Sequence, residues 1–267
     1  MPNYQAISRE RHANLRWKRY TSYTFAAADS VVPLVAAELP KAVMSLPIAF
    51  TEQGEGFIPI AVLGLQPGKN VFVAPDWRWV GPYIPAAFRS YPFRLAQTQD
   101  EQQVLCIDEG SGLVTDGPAG EPFFTEDGQP AQAILELLSF LTQIEQSRVN
   151  TVSACAVLQK HNLIRPWAIT LKTDTGEQQI AGLLQIDEVA LNQLSGEALL
   201  EVRQAGALPI ACCQLLSMQH LPLLGQLTEA HVKASAQALS LQHLAPNGDL
   251  DLEFFNKDGT ISFAGLL

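Results

Sequence analysis

The chain has 267 residues, of which 47% are hydrophobic and 16% charged, a composition typical of globular proteins and long enough to bury a substantial core. Its formal net charge of −10 argues against a general nucleic-acid-binding protein, because such proteins need a basic surface. The first 20 residues lack the apolar region of a secretory signal and no run of 18 apolar residues occurs, so we expect a cytoplasmic protein without a membrane span.

Basic residues are concentrated near the start of the chain. Residues 1–20 carry one acid, Glu10, against five basic residues, which are Arg9, Arg11, Arg16, Lys18 and Arg19. We expect residues 1–45 to form a lead-in, irregular over residues 1–30, whose basic arm packs on the acidic body. Docking of the arm on a partner or on an anionic lipid is the alternative.

Further along, apolar runs bounded by turn residues predict strands. They cover residues 45–51, 57–65, 94–98 and 103–108. Pro130 then opens a predicted helix, because apolar residues recur at helical spacing from Ile134 to Ile144.

The second half of the chain predicts strands at residues 167–172 and 179–186, paired across a turn at residues 174–176. Ser195 is placed to cap a helix over residues 197–204, and Asp187 can cap the segment after it. Residues 208–218 fit a strand or a helix. Thr228 is expected to cap a last helix over residues 229–239, before a hairpin of residues 249–255 and 260–263.

The two halves of the sequence resemble each other. PIAFT at residues 47–51 matches PWAIT at residues 166–170, and the FFxxDG turn at residues 123–128 recurs at residues 254–259. This internal repeat predicts an α+β fold of two related α+β halves, residues 46–160 and 161–267, with antiparallel hairpins and packed together. One compact domain is the alternative.

Familiar catalytic and cofactor motifs do not occur in the sequence. It contains no GxSxG, no HExxH and no glycine-rich phosphate loop. The four cysteines, at positions 106, 155, 212 and 213, fit no zinc or redox spacing, and we interpret them as small buried side chains in a reducing compartment. We therefore expect no metal and no cofactor. The acidic pairs Asp108-Glu109 and Asp187-Glu188 fit either acid/base catalysis or the capping of helices and turns.

The most unusual segment is residues 70–93, NVFVAPDWRWVGPYIPAAFRSYPF, which combines tryptophans, tyrosines, phenylalanines, prolines and two arginines. Closely spaced aromatic rings and arginine can form a rigid binding platform, and the same rings can equally fill a core. The candidate binding residues are Trp79, Tyr83, Arg89, Tyr91 and Asp108. Arg89 is also expected to pair with a carboxylate, with Asp108 and Asp76 as candidates.

This segment carries a resemblance to the bacterial SapC family. The matching pattern is Gly64-x-x-x-Gly68-x-Asn70-x-Phe72-Val73, then Trp79-x-x-x-Tyr83-Ile-Pro85-Ala-x-x-Arg89-x-Tyr91-Pro92-Phe93. Flanking matches are Tyr23-x-Phe25-Ala, Pro33-x-x-x-x-Glu38, Leu105-Cys-Ile-Asp108, Phe124-x-x-x-Gly128 and Leu183-x-x-Ile186-Asp187. Ser90 stands where the family has a second arginine, and Trp77-Arg78 replaces an acidic/glycine pair, so no double-arginine clamp is expected.

The resemblance implies a protein that accompanies modifying enzymes, because family members are encoded near flavin-dependent halogenases, cupin-like proteins and TonB-dependent receptors. We expect a non-catalytic cytoplasmic accessory protein that holds a peptide, a protein or a small molecule. An enzyme of unrecognised class, with Arg89, an acid and a histidine in one pocket, is the alternative, as is a surface-layer structural protein. We expect the partner to be a protein or a peptide and expect no binding of nucleic acid. Whether the chain forms a homo-oligomer is left open by the sequence.

Overall fold

The computed structural model describes residues 2–98, 102–173 and 176–242, which adopt an α+β fold. The first part contains β1 Tyr4–Ala6, α1 Arg9–His12, β2 Arg16–Trp17, β3 Val31–Pro33, α2 Leu39–Ala42, β4 Ile48–Gln53, β5 Gly56–Val62, α3 Ala86–Arg89, β6 Phe93–Gln97, β7 Gln103–Asp108, β8 Val114–Thr115 and β9 Glu121–Pro122. The remainder contains α4 Gln132–Lys160, β10 Ile164–Pro166, β11 Ile169–Thr173, β12 Gly176–Ile180, β13 Leu184–Ile186, α5 Glu188–Asn192, α6 Gly196–Gln204, α7 Ala207–Ser217 and α8 Leu221–Gln242.

The central sheet has five antiparallel strands in the order β10-β13-β4-β5-β3. Its middle strands come from runs that are apolar on both faces, as the sequence predicts for buried strands. Leu184 of β13 pairs with Phe50 of β4, so this sheet joins strands from both predicted halves. The division into related halves stays a prediction, and the second FFxxDG turn and the hairpin after residue 248 lie outside the described residues.

The N-terminal lead-in is more ordered than the sequence predicts. Strand β1 pairs with β7 in the sheet β1-β7-β6, and β2 lies between β8 and β9 in another. These strands pair with segments about a hundred residues away, and such short strands have no local hydrophobic period to reveal them. The expectation of an irregular segment over residues 1–30 is therefore wrong.

The basic arm packs on the body of the protein. Arg11 forms a two-point ion pair with Glu109 at 2.6 Å, and Arg19 pairs with Glu121 at 2.6 Å. Arg16 donates through Nη1 to the carbonyl oxygen of Gly120 at 3.0 Å. Each pair is largely exposed and contributes little free energy alone, so the strand pairing of β1 and β2 carries most of the docking.

Two hydrophobic clusters are joined by the 29-residue helix α4. The smaller contains Trp17, Phe93 and Phe123 and receives Ile134 and Leu141 of the first half of α4. The larger surrounds the central sheet and receives residues of the last part of α4, which are Ala154, Cys155 and Leu158. The predicted helix is confirmed and Ile134 and Leu141 of its apolar face are buried, whereas Leu138 is exposed. Helix α4 begins two residues after Pro130 and continues well past residue 144.

Two of the predicted helix caps are confirmed. Ser195 accepts from Ala198 N at the start of α6, and Asp187 accepts from Val189 N and Ala190 N at the start of α5. Thr228 is wrongly predicted as a cap, because it lies inside α8 and its hydroxyl donates to the Leu224 carbonyl oxygen. Residues 208–217 belong to helix α7 and Met218 begins the short 3-10 helix after it, so the open choice there is resolved as helix.

The second predicted hairpin is shifted. Strand β11 pairs with β12, which ends at Ile180. After Gly182, which has a φ angle of 85°, the chain enters β13, and this strand pairs with β4 of the central sheet. The prediction that all four cysteines are buried is also wrong, because Cys106 and Cys155 are buried but Cys212 is exposed. Burial raises the pKa of the Cys155 thiol to about 12, which makes it unreactive at neutral pH.

Residues 207–234 are the stretch of the described chain that is long and apolar enough to cross a membrane by length and composition, with a mean hydropathy of 1.3 over 18 residues, of which 33% are buried. The core helix of a soluble protein passes the same test. Here the side-chain amide of Gln214 donates to the carbonyl oxygen of Ile48 at 3.2 Å, and the hydroxyl oxygen of Ser217 accepts from the backbone amide of Ile48 at 2.9 Å. These buried bonds attach α7 to the central sheet.

Candidate functional site

The aromatic segment, residues 70–93, consists mostly of turns and bends, contains the short helix α3 and ends at the first residue of β6. Its start is fixed by Asn70, whose buried amide donates to the Ala26 carbonyl oxygen at 3.0 Å and accepts from the Phe72 amide at 3.0 Å. Pro85 has a ψ angle of 146° and directly precedes α3, while much of the chain on either side of this helix forms turns and bends. Asn70 thereby holds the segment against the loop that carries Phe25.

Most aromatic rings of the segment pack against another ring, either within the segment or in the N-terminal part of the chain. Trp79 stacks on Phe72 with ring centroids 5.4 Å apart and meets Phe88 edge-on at 5.7 Å. Phe25, from the loop before β3, stacks on Tyr91 at 3.8 Å with the planes within 8°. The Nε1 of Trp79 donates to the Tyr83 carbonyl oxygen at 3.0 Å. Trp79 therefore has a packing role and its one polar atom is already used.

Trp77 is the exception to this packing. It is 48% exposed and has a φ angle of 66°, in the left-handed region that side-chain-bearing residues seldom adopt. Its neighbours Asp76 and Arg78 form an exposed ion pair at 2.6 Å, so Asp76 is engaged there and not with Arg89.

A buried carboxylate, Glu38, anchors the segment from behind. Its Oε1 accepts from the Tyr83 hydroxyl at 2.8 Å and from the Ala86 amide at 2.6 Å, and its Oε2 accepts from the Val35 amide at 3.1 Å. Only 4% of Glu38 is exposed. Burial and the nearby Glu38 charge raise the pKa of Tyr83 far above its ordinary value, so its hydroxyl is a hydrogen-bond donor at neutral pH.

Arg89 lies at the exposed edge of this network. Its Nε donates to the Ile84 carbonyl oxygen at 3.0 Å, and its Nη2 approaches the Tyr83 hydroxyl at 3.4 Å. The guanidinium carbon lies 4.9 Å from the Phe140 ring centroid and 5.8 Å from that of Tyr83. The predicted pairing of Arg89 with a carboxylate is thus replaced, among the described residues, by backbone and aromatic contacts.

Tyr91 and Asp108 come together at a cavity of about 620 Å³, which we name the Tyr91–Asp108 cavity. It opens between strand β1, the loop before β3, helix α3 and the end of β7. The residues around it are Pro2, Tyr4, Phe25, Asp29, Val31, Val32, Pro33, Ala87, Phe88, Tyr91, Asp108 and Gly110. Its volume lies within the range of small-molecule sites, and its walls combine aromatic rings with a few polar groups.

Asp108 is the most buried polar residue of this wall, with 5% exposed. Its Oδ1 accepts from the Asn3 amide at 2.6 Å and from the Gly110 amide at 3.0 Å, which fixes the carboxylate at the start of a short 3-10 turn. No described group donates to its Oδ2. A carboxylate oxygen that no protein group occupies can accept a hydrogen bond from an incoming donor.

The two tyrosines of the cavity, Tyr4 and Tyr91, respond to that carboxylate. Burial, followed by the charge of Asp108, raises the pKa of each phenol. Partial burial also raises the pKa of Asp29 at the rim. Both phenols are therefore neutral at physiological pH, and the carboxyl groups of the lining are those of Asp29 and Asp108.

A second buried titratable group, His12, lies nearby but apart from the cavity lining. It is fully buried against the Phe123 ring, its Nδ1 faces the Ser8 amide at 3.3 Å, and its Nε2 lies 3.4 Å from Glu109 Oε1. Neither His12 nor Arg89 lines the cavity with Asp108. The arrangement expected for the enzyme alternative, an arginine, an acid and a histidine in one pocket, is not assembled there.

The five predicted site residues thus divide between two places. Tyr91 and Asp108 line the cavity, while the other three, Trp79, Tyr83 and Arg89, surround the Glu38 network beside it. Sequence reasoning missed Tyr4 and Asp29, which no motif marks, and underused Glu38, which belongs to the Pro33-x-x-x-x-Glu38 match. In residues 2–98, 102–173 and 176–242 no group of three or more His, Cys, Asp or Glu side chains is placed to hold a metal ion.

Comparison with known proteins gives one match. The SapC family model matches residues 7–224, which include the aromatic segment, the Glu38 network and most of the cavity lining. No curated protein and no solved structure matches the chain.

Proposed function

The chain belongs to the SapC family, and we propose that it is a non-catalytic binding protein that holds a peptide, a protein or a small molecule in the Tyr91–Asp108 cavity. The observation that carries this proposal is the open Oδ2 of Asp108 in a cavity of about 620 Å³. Ligand sites in proteins typically combine such a volume with apolar walls and a few fixed polar atoms.

The chemistry of the cavity wall favours binding over catalysis. The described lining holds no histidine, cysteine, serine or lysine, so the groups that could act as bases there are the carboxylates of Asp29 and Asp108. Its two phenols have raised pKa values and stay protonated. What the wall supplies instead is a rigid aromatic surface, formed by Phe25 stacked on Tyr91, and a fixed carboxylate.

The Glu38 network supports the same proposal, because it makes the wall rigid. Glu38 joins α2 to α3 and to Tyr83, and α3 contributes Ala87 and Phe88 to the cavity. A preformed wall binds without the entropic penalty of ordering its side chains. By resemblance to its family, the protein would act in the cytoplasm beside flavin-dependent halogenase or cupin-type enzymes.

The test is a selection from a random peptide library with wild type and a variant in which the cavity is filled. Val31 is suited to this change, because it is 39% exposed, lines the cavity and lies on a strand, where tryptophan is tolerated. We expect wild type to enrich peptides that Val31→Trp no longer binds. The matched control is Val189→Trp, at an exposed valine on α5 outside the cavity lining.

Two outcomes would contradict the proposal. One is that wild type enriches no peptide and binds no member of a fragment library by ligand-observed NMR. The other is that Val31→Trp, shown to be folded by circular dichroism, binds the enriched ligands as tightly as wild type does.

A further inference from the structure

We infer that the Tyr91–Asp108 cavity selects a cationic group, an amine or a guanidinium carried by a peptide side chain or a small ligand. The inference rests on the proposed function and adds the chemical class of the ligand. It is carried by Asp108, which lines the cavity, is more than nine-tenths buried, and has an Oδ2 that accepts no hydrogen bond from the described residues.

The balance of charges in the wall points to a cation. Asp29 and Asp108 line the cavity, and no lysine or arginine is among its described lining residues. A buried carboxylate is strongly favoured when a positively charged donor completes its hydrogen bonds. An anionic ligand would instead be repelled by both acids.

The aromatic rings favour the same class. Phe25, Phe88 and the two tyrosines present ring surfaces, and amines and guanidinium groups are attracted to such surfaces. The protein itself shows this preference at the outer wall, where the guanidinium carbon of Arg94 lies 3.6 Å from the ring centroid of Tyr4. The neutral phenols add acceptors that a cation can use.

The probe is a pair of five-residue peptides that differ in one group, acetyl-Ala-Ala-Arg-Ala-Ala-amide and the same peptide with citrulline. Citrulline has the shape of arginine without its charge. By isothermal titration we expect the arginine peptide to bind wild type at least tenfold more tightly, with an affinity that falls as salt is raised.

Asp108→Asn should abolish this preference, because asparagine keeps an oxygen for the Asn3 and Gly110 amides but removes the charge. Asp116→Asn, which removes the same charge at an exposed position outside the cavity lining, should retain it. Equal affinity for the two peptides, or binding of neither, would overturn the inference. The proposed function is tested separately with Val31→Trp. If wild type bound neutral ligands that Val31→Trp no longer binds, the proposed function would stand although the preference for a cation had failed.

A second inference comes from a different surface. Helix α4 carries an exposed stripe on the side next to its buried face, which we name the α4 stripe. Its members recur at alternating spacings of three and four and are Leu135, Leu138, Thr142, Glu145, Val149 and Val152. The four apolar members are between 36% and 47% exposed. This is the spacing with which two helices pack along a seam.

We propose that the α4 stripe binds the same stripe of a second copy of this chain, with the two helices antiparallel. In that arrangement Leu135 meets Val152, Leu138 meets Val149 and Thr142 meets Glu145. Parallel helices in register would bring the two Glu145 carboxylates together, which is unfavourable. The stripe is therefore self-complementary in the antiparallel direction.

The surroundings of the stripe support a protein contact. Only four of the 29 residues of α4 are charged, and Glu145 is already paired with Arg148 at 2.6 Å. The outer flank of the stripe is uncharged and consists of Ser139, Gln146 and Ser153. Depletion of charge is typical of the centre of an interface. The stripe is about 27 Å long, shorter than a standard interface, so we expect a weak, concentration-dependent dimer.

Sedimentation equilibrium of the full chain tests this arrangement. We expect wild type to dimerise, Leu138→Glu and Val149→Lys to raise the dissociation constant at least tenfold each, and the double variant to restore dimerisation, since glutamate then faces lysine. Leu199→Glu, at a residue of α6 that is 41% exposed, is the matched control and should leave the constant unchanged. A monomeric wild type at about 1 mM, or a double variant no better than the single ones, would overturn the proposal.

Discussion

Glu38 shows how one buried residue organises the region around the site. It accepts hydrogen bonds from two backbone amides and the Tyr83 hydroxyl, and so connects α2 to α3 through the wall of the cavity. Removing it leaves buried donors without acceptors. We therefore expect Glu38→Ala to lower the free energy of unfolding by about 4 kcal/mol and Glu38→Gln, which keeps one acceptor, by about 2 kcal/mol.

Urea denaturation followed by circular dichroism measures these losses. Tyr83→Phe is the matched control, because it removes one donor and leaves the carboxylate with its two amides, and we expect it to lose only about 1 kcal/mol. If Glu38→Ala unfolded at the same urea concentration as Tyr83→Phe, the network would not stabilise this region.

His12 gives the fold a dependence on pH. Its burial lowers the pKa of the imidazole, and this outweighs a backbone hydrogen bond with Ser8 and the Glu109 charge, which act in the opposite direction. The unfolded chain takes up the proton near the ordinary value of 6.5, whereas the folded protein takes it up only at lower pH. The contribution of neutral His12 to the free energy of unfolding is complete above the unfolded-state pKa and declines as the pH falls from there toward the folded-state pKa.

We therefore expect His12→Gln to change the slope of stability against pH. Between about pH 6.5 and pH 5, wild type should lose more free energy of unfolding than the variant, since glutamine has no proton to bind. Urea midpoints at three pH values in this range measure the difference. Parallel curves for the two proteins would show that His12 does not titrate differently on folding.

At the scale of elements, the turn from Gly64 to Gly68 requires glycine at both ends, for two different physical reasons. A Cβ on Gly64 would overlap the backbone carbonyl of Lys69, which cannot move aside as a side chain can. Gly68 instead has open space around it but a φ angle of +74°. We expect Gly64→Ala to lose about 3 kcal/mol of unfolding free energy and Gly68→Ala about 1 kcal/mol.

Thermal and urea unfolding of the two alanine variants measure this ranking within one turn. The same substitution serves as its own control, because only the surroundings differ. A larger loss at Gly68 than at Gly64 would mean that the turn relaxes around the added methyl group and that the left-handed backbone is the stricter requirement.

The elements that the sequence predicts well are those with a strong local signal. Strand β7 has the predicted bounds, and the caps Asp187 and Ser195 lie where side-chain oxygens precede helical segments. Thr228 has the same local signal, but the apolar residues around it continue through α8, so tertiary packing overrides the capping preference. Strands β1 and β2 form only by pairing with distant segments.

The candidate site is predicted in part for the same reason. Tyr91 belongs to the segment with unusual chemistry and Asp108 to the Leu105-Cys-Ile-Asp108 match, and β6 and β7 bring them to one wall. Tyr4 and Asp29 reach that wall only because β1 pairs with β7 and β3 pairs with β5. No pattern in the sequence indicates those pairings, so half of the polar wall could not be predicted.

At the scale of the whole molecule, α4 couples the two hydrophobic clusters. The smaller holds Trp17, the larger holds Trp167, and the helix runs through both without a break. The cavity itself lies between elements of both clusters, since β7 belongs to the smaller and β3 to the larger. Its shape therefore depends on how firmly α4 keeps the two clusters together.

We expect the two clusters to unfold together in wild type and separately when α4 is interrupted. Asn150 is exposed and lies between Leu141, in the smaller cluster, and Ala154, in the larger. Proline there removes a helical hydrogen bond and clashes with the preceding turn, at about 3 kcal/mol, whereas alanine favours the helix.

Fluorine NMR of protein labelled with 5-fluorotryptophan follows Trp17 and Trp167 separately during urea unfolding. In wild type and in Asn150→Ala, both native resonances should disappear at the same urea concentration. In Asn150→Pro the Trp17 resonance should disappear first, because the smaller cluster loses its only long helix among the described residues and has fewer buried side chains to hold it. Separate transitions already in wild type would show that α4 does not couple the clusters, and that the cavity wall formed by β7 can move independently of the wall formed by β3.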